Sequence, residues 1–103
     1  MKFHRALGLG LVLTFFAASA FSADKTPSLY KSKCQGCHGA NGKATTMGKK
    51  LGARDFQDPA VASMSDDDLK QVTSHGKNKM PAYKGKLTEQ QIDDLVKYIK
   101  ELK

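Results

Sequence analysis

The chain has 103 residues, 17 Lys and Arg against 10 Asp and Glu, a formal charge of +7, two Cys and no Trp. That length allows one small domain, and two Cys are too few for a disulfide framework. The basic balance points to acidic protein partners or an anionic surface rather than nucleic acid, because no basic recognition helix stands out.

Met1–Ala23 reads as a secretory signal. Lys2 and Arg5 give it a positive start. Ala6–Ala18 is an apolar run broken only by Gly8, Gly10 and Thr14. Ala18-Ser19-Ala20 and Ala20-Phe21-Ser22 offer small-residue cleavage patterns, placing the cut near residues 20–23. The apolar run is short of the roughly 20 residues a membrane helix needs. No Cys stands at the cut, which argues against a lipid-modified N-terminus. The expected mature chain, residues 24–103, is periplasmic, with no stable membrane insertion. Without Lys2 and Arg5 it keeps 15 basic against 10 acidic residues. A domain of about 80 residues has a marginal core unless something staples it.

The first predicted helix runs from Pro27 to Cys34. Thr26 is the expected N-cap, with Pro27 at the first helical position. Leu29, Tyr30 and Cys34 form its inner stripe.

Cys34-Gln35-Gly36-Cys37-His38 follows. A C-x-x-C-H run reads as a c-type haem attachment site. On a helical turn Cys34 and Cys37 stand at i and i+3, so both thiols face one way and can bond two vinyl groups of one porphyrin. His38 can then present its imidazole to the iron from the same side. A zinc site, a redox dithiol and a plain disulfide are the rival readings. Structural zinc wants four ligands in two close pairs. Beyond the motif only His4, inside the signal segment, and the isolated His75 are at hand. A thioredoxin-type dithiol wants a βαβ setting, and no strand pattern surrounds Cys34.

Gly42–Val61 is expected to be mostly loop, with Leu51, Phe56 and Val61 turned inward. Ser65 and Asp68 resemble a capping box opening a second helix, with Asp66, Asp67 and Asp68 at its positive dipole end. Leu69 and Val72 face the core, and Gly76 ends the helix. The loop Gly76–Tyr83 carries Met80-Pro81. Thr88 and Gln91 make a capping box for the last helix, whose Ile92, Leu95, Val96, Ile99 and Leu102 repeat at three and four residues. The expected fold is all-α: three to four helices and loops around one covalently bound haem.

A Met opposite His38 would close the iron and raise its potential. Met47, Met64 and Met80 compete. Met80 sits in a loop stiffened by Pro81, Met64 precedes a cap where a hydrophobic staple is usual, and Met47 lies only nine residues past His38. His75, at a helix end, is the alternative ligand.

Cys34, Cys37, His38 and Gly39, with Met80-Pro81 and the helix Thr88–Leu102, resemble a class I cytochrome c of the small bacterial monohaem type. The resemblance spans about Thr26 to Leu102. It implies a helical fold in which the first and last helices cross, so that Leu29 or Tyr30 meets Leu95 and Tyr98–Ile99. It also implies haem c bound through Cys34 and Cys37, axial His38 and Met80, and one-electron transfer without substrate turnover. A peroxidase or ligand sensor with a labile Met80 is the alternative. The Pro that often follows the Gly-rich exit in that family is absent from Ala44-Thr45-Thr46-Met47. Some carbonyl in Ala44–Gly48 is therefore expected to take the His38 proton. Lys33, Lys77, Lys79, Lys84 and Lys86 are expected to border the haem edge and steer an acidic redox partner toward a monomeric carrier. Arg54 and Tyr83 are expected near a propionate.

Overall fold

The computed structural model describes residues 25–102, together with Gly8 and Gly10; apart from those two glycines, the predicted signal segment lies outside the described residues. Six helices follow in order: α1 (Thr26–Lys33), α2 (Gln35–His38), α3 (Thr46–Lys50), α4 (Pro59–Ala62), α5 (Asp66–His75) and α6 (Glu89–Glu101). Among the described residues there is no β-strand, only isolated bridges at Lys77–Met80 and Lys84–Leu87. The all-α expectation holds.

α6 is the helix whose pattern is clearest. Thr88 accepts from the Gln91 N–H, and the Gln91 side chain accepts from the Thr88 N–H, a complete capping box. Ile92, Leu95 and Val96 are buried, and they share one face at three- and four-residue spacing. Leu102 lies past the last turn as the C-cap rather than inside the helix.

α5 shows half of the expected device. Ser65 accepts from the Asp68 N–H at 3.1 Å, but the cap carries no return bond. Asp is one methylene shorter than the Glu that usually reaches back. α5 and α6 pack together. Lys70–Asp93 at 3.0 Å and Lys100–Asp66 tie their exposed faces, where such pairs contribute little.

α1 begins one residue earlier than Pro27 suggests. Lys25 is its N-cap, with helical angles and no side-chain cap bond, and Thr26 is the first helical residue. Thr26 is 2% exposed and its hydroxyl has no partner among the described residues. Its side chain serves burial instead of capping.

The segment read as loop between Gly42 and Val61 holds α3 and α4. Both use the N-cap chemistry seen elsewhere in the chain. Thr45 accepts from the Gly48 N–H, and Asp58 accepts from the Ala60 N–H ahead of Pro59. Helices of five and four residues are too short to show amphipathic periodicity.

α1 packs against α6, as expected. Tyr30 is 1% exposed, and its ring stands 5.2 Å from that of Tyr98. No helix among the described residues is long and apolar enough to cross a membrane.

A candidate cofactor cavity behind the Cys34–His38 turn

Cys34, Cys37 and His38 arrive together because α2 is a true helical turn. Its N–H groups at Cys37 and His38 bond the Cys34 carbonyl at 3.2 and 3.0 Å. α3 then packs against α2 at close range. The Thr45 N–H donates to the Cys37 carbonyl at 2.9 Å, and the Thr45 hydroxyl donates to the Gly36 carbonyl at 2.7 Å. Gly48 makes that approach possible, since a Cβ there would lie 2.0 Å from the Cys37 carbonyl oxygen. From the other side, the buried Tyr30 hydroxyl donates to the Gly39 carbonyl at 2.6 Å. The turn is thus clamped at both ends by groups outside it.

Behind the turn lies a cavity of about 470 Å³. Cys34, Cys37, His38, Met64 and Met80 all line it, with a wall drawn from Tyr30, Leu69, Leu95 and Ile99. The two Cys are free thiols, each half-buried. Burial pushes the Cys34 thiol up to about 11, opposite to the lowered thiol of a redox C-x-x-C pair. Burial lowers His38 below its ordinary value, favouring the neutral imidazole that ligates iron. Among the described residues no three His, Cys, Asp or Glu side chains gather as metal ligands, which leaves the zinc reading without its ligand set.

The structure sorts the sulfur candidates. Met80 reaches the cavity from a tight turn in which its N–H donates to the Lys77 carbonyl at 2.9 Å and its carbonyl accepts from the Lys77 N–H at 3.3 Å. Asn78 takes a left-handed conformation there, φ 53°. The turn is moored to α5 by Tyr83 N–H to Thr73 O, 3.1 Å, and Lys84 N–H to Ser74 O, 3.0 Å. Met64 also lines the cavity, which the staple reading did not foresee. Met47 is 64% exposed, and neither it nor the exposed His75 reaches the cavity.

One expectation fails. The His38 Nδ1 is buried and has no hydrogen-bond partner among the described residues, so no carbonyl of Ala44–Gly48 accepts its proton. Those carbonyls serve other donors: Thr45 O takes the Lys49 N–H, Met47 O the Leu51 N–H, and Gly48 O the Leu51 and Ala53 N–H groups. Sequence reasoning also missed Phe56 as a partner of His38. Its ring stacks on the imidazole with centroids 4.8 Å apart and planes 25° apart.

Arg54 and Tyr83 both line the cavity, and the Tyr83 hydroxyl donates to the Lys33 carbonyl at 3.1 Å. Lys33, Lys77 and Lys79 line the same cavity and are exposed. Lys84 and Lys86 are exposed nearby in sequence.

Residues 22–99 match the protein family described as cytochrome c oxidase, cbb3-type, subunit III. The chain belongs to this family of c-type cytochromes. It is similar to cytochrome c6 of Nostoc sp. (strain PCC 7120), 32% identical over 95 residues, 90% of this chain and 84% of the relative. It is likewise similar to cytochrome c-555 of Methylococcus capsulatus, 34% identical over 98 residues, 87% of this chain and 75% of the relative. The solved KustC0563 c-type cytochrome superposes with a TM-score of 0.71 at 32% identity, covering 76% of this chain and 96% of that one. This cytochrome is a small monohaem class I member, an electron-transfer protein rather than an enzyme, and it carries one haem c. The residues present fit that group. Two free thiols, an imidazole and two thioethers bound one largely apolar cavity. The relatives lend no support to the peroxidase or sensor reading.

Proposed function

We propose that Cys34 and Cys37 anchor the haem as thioethers and that His38 and Met80 hold its two axial positions. What carries the reading is the convergence of these four side chains on one cavity. When bound, the haem supplies Fe(III)/Fe(II) one-electron chemistry. The protein's part is to keep both axial positions filled and to seal the wall with Leu69, Leu95 and Ile99. It thereby holds reorganisation small in a site of low polarity.

The cytochrome works after export, with Met1–Ala23 removed, as a monomer in the periplasm. The family match begins at residue 22, two residues short of the expected mature start at residue 24, and Lys2 and Arg5 precede an apolar run as signals do. Intact mass of the exported protein tests both parts together. The expected mass is that of a chain starting near residues 21–24 plus one haem, which stays attached in acidified acetone. Cys34→Ala with Cys37→Ala is expected to leave no covalent adduct. A mass without haem in the unaltered protein would overturn the anchoring.

Lys33, Lys77 and Lys79, exposed residues that line the cavity, with Lys84 and Lys86 beyond, steer an acidic surface of the redox partner toward the haem edge. Electrostatic steering raises association rates by about 10–10³-fold and is screened by salt. The second-order electron-transfer rate is therefore expected to fall about tenfold or more as the Debye length shrinks from roughly 30 Å at ~0.01 M to roughly 3 Å at ~1 M. Stopped-flow measurement with the physiological partner reads this directly, and a rate indifferent to salt would reject the steering role.

A further inference from the structure

Phe56 is fixed more tightly than a cavity-lining side chain needs. Its N–H donates to the Gly42 carbonyl at 2.8 Å. The residue before it, Asp55, accepts from the Ala44 N–H at 2.8 Å. The residue after it, Gln57, donates to the carbonyls of Asn41 at 2.9 Å and Leu102 at 3.2 Å. Three consecutive residues thus bind the 41–44 loop, and the ring between them is pressed against His38. Gly42, at φ 81°, leaves room for that ring: a Cβ there would stand 2.7 Å from Phe56 Cδ2.

A ligating histidine is ordinarily oriented by a hydrogen bond from its other ring nitrogen. In this chain His38 Nδ1 is buried and unpaired among the described residues. The surrounding carbonyls are engaged elsewhere: Cys37 O by Thr45, Gly39 O by Tyr30, Gly42 O by Phe56 itself. The neighbour stacked on the imidazole is the aromatic ring of Phe56.

We propose that Phe56 is the positioning residue for His38, setting the plane of the axial imidazole by face-to-face contact in place of the missing hydrogen bond. The inference rests on His38 being the axial ligand. Two consequences follow. The imidazole stays a plain neutral ligand, since no acceptor draws on its Nδ1 proton. The ring plane depends on an apolar contact that a change of side chain can remove without touching a polar group.

Holoprotein carrying Phe56→Leu is compared with Phe56→Tyr and the unaltered protein. Ferric electron paramagnetic resonance and the spread of the haem-methyl proton shifts both report the axial ring plane. Phe56→Leu is expected to change the g-anisotropy and the methyl spread while the iron stays low-spin and six-coordinate. Phe56→Tyr, which keeps the ring, is expected to retain both. Unaltered signals in Phe56→Leu would overturn the proposal. Proton spectra of the unaltered ferrous holoprotein give an independent reading if Phe56→Leu fails to fold. A nuclear Overhauser contact between the rings of Phe56 and His38 is expected, and its absence overturns the proposal. Strong ring-current shifts on His38 without that contact reject Phe56 alone. A His38 without such shifts rejects the ligand assignment beneath it.

Discussion

With Met80 as the proposed axial ligand, Met80→Ala is expected to open one axial position of the iron. The oxidised protein is expected to lose the sulfur-to-iron charge-transfer band, and the reduced protein to bind carbon monoxide at neutral pH. The potential is expected to fall by an appreciable part of the roughly 0.8 V over which axial ligands set haem potentials, because a Met thioether raises it. The turn around residue 80 is held by main-chain bonds, Lys77 to Met80 and Tyr83 and Lys84 to α5. Truncating the side chain therefore leaves the backbone in place and empties only the sulfur's position. Met64 is the natural control, because it lines the same cavity. Met64→Ala is expected to keep the band. Loss of the band in Met64→Ala, with retention in Met80→Ala, would transfer the role to Met64.

Tyr30→Ala will cost more stability than any other single truncation in the core. Tyr30 is 1% exposed, packs against Tyr98 and bonds the Gly39 carbonyl just past the Cys34–His38 turn. Removing a buried aromatic ring costs about 3–5 kcal/mol, and orphaning the carbonyl adds about 1–3 kcal/mol. Together these approach the whole stability of a small domain, about 5–15 kcal/mol, so little folded Tyr30→Ala protein is expected. Tyr30→Phe removes the hydrogen bond alone. Its Tm is expected to drop by about 4–8 °C for each kcal/mol lost in a domain of this size. An unchanged melting point for Tyr30→Phe would show that the Gly39 carbonyl gains nothing from the bond.

Alkaline pH separates the two contributions. Burial, then the nearby Cys34 and Tyr98 groups, push the Tyr30 hydroxyl from 10.0 up to about 12. The folded value lies above the unfolded one. Its contribution is therefore present in full below pH 10 and is lost as pH rises through about 12. Denaturant midpoints followed across that window should fall more steeply for the unaltered protein than for Tyr30→Phe. Parallel curves would assign the decline to other groups.

The chain's local chemistry was legible where a few adjacent residues suffice. The i, i+3 spacing of Cys34 and Cys37, the caps at Ser65 and Thr88, and the apolar stripe of α6 all depend on neighbours within one or two helical turns. They predict elements that the structure contains. The short helices α3 and α4 escaped because four or five residues carry no readable period. The sulfur choice was half legible. Met80-Pro81 stood out, but three Met competed, and only the fold removed Met47 to solvent and brought Met64 to the cavity with Met80.

The sequence by itself determined the helical class and the i, i+3 placement of Cys34 and Cys37, because both follow from spacing along the backbone. Tertiary structure decided how the Cys34–His38 turn is held. Tyr30 reaches Gly39 across nine residues, Asp55 reaches Ala44 across eleven, and Tyr83 reaches Lys33 across fifty. The stacking of Phe56 on His38 belongs with these. Such contacts form only when the chain closes on itself. They answer to the packing of several segments at once, and no local pattern of residues encodes them.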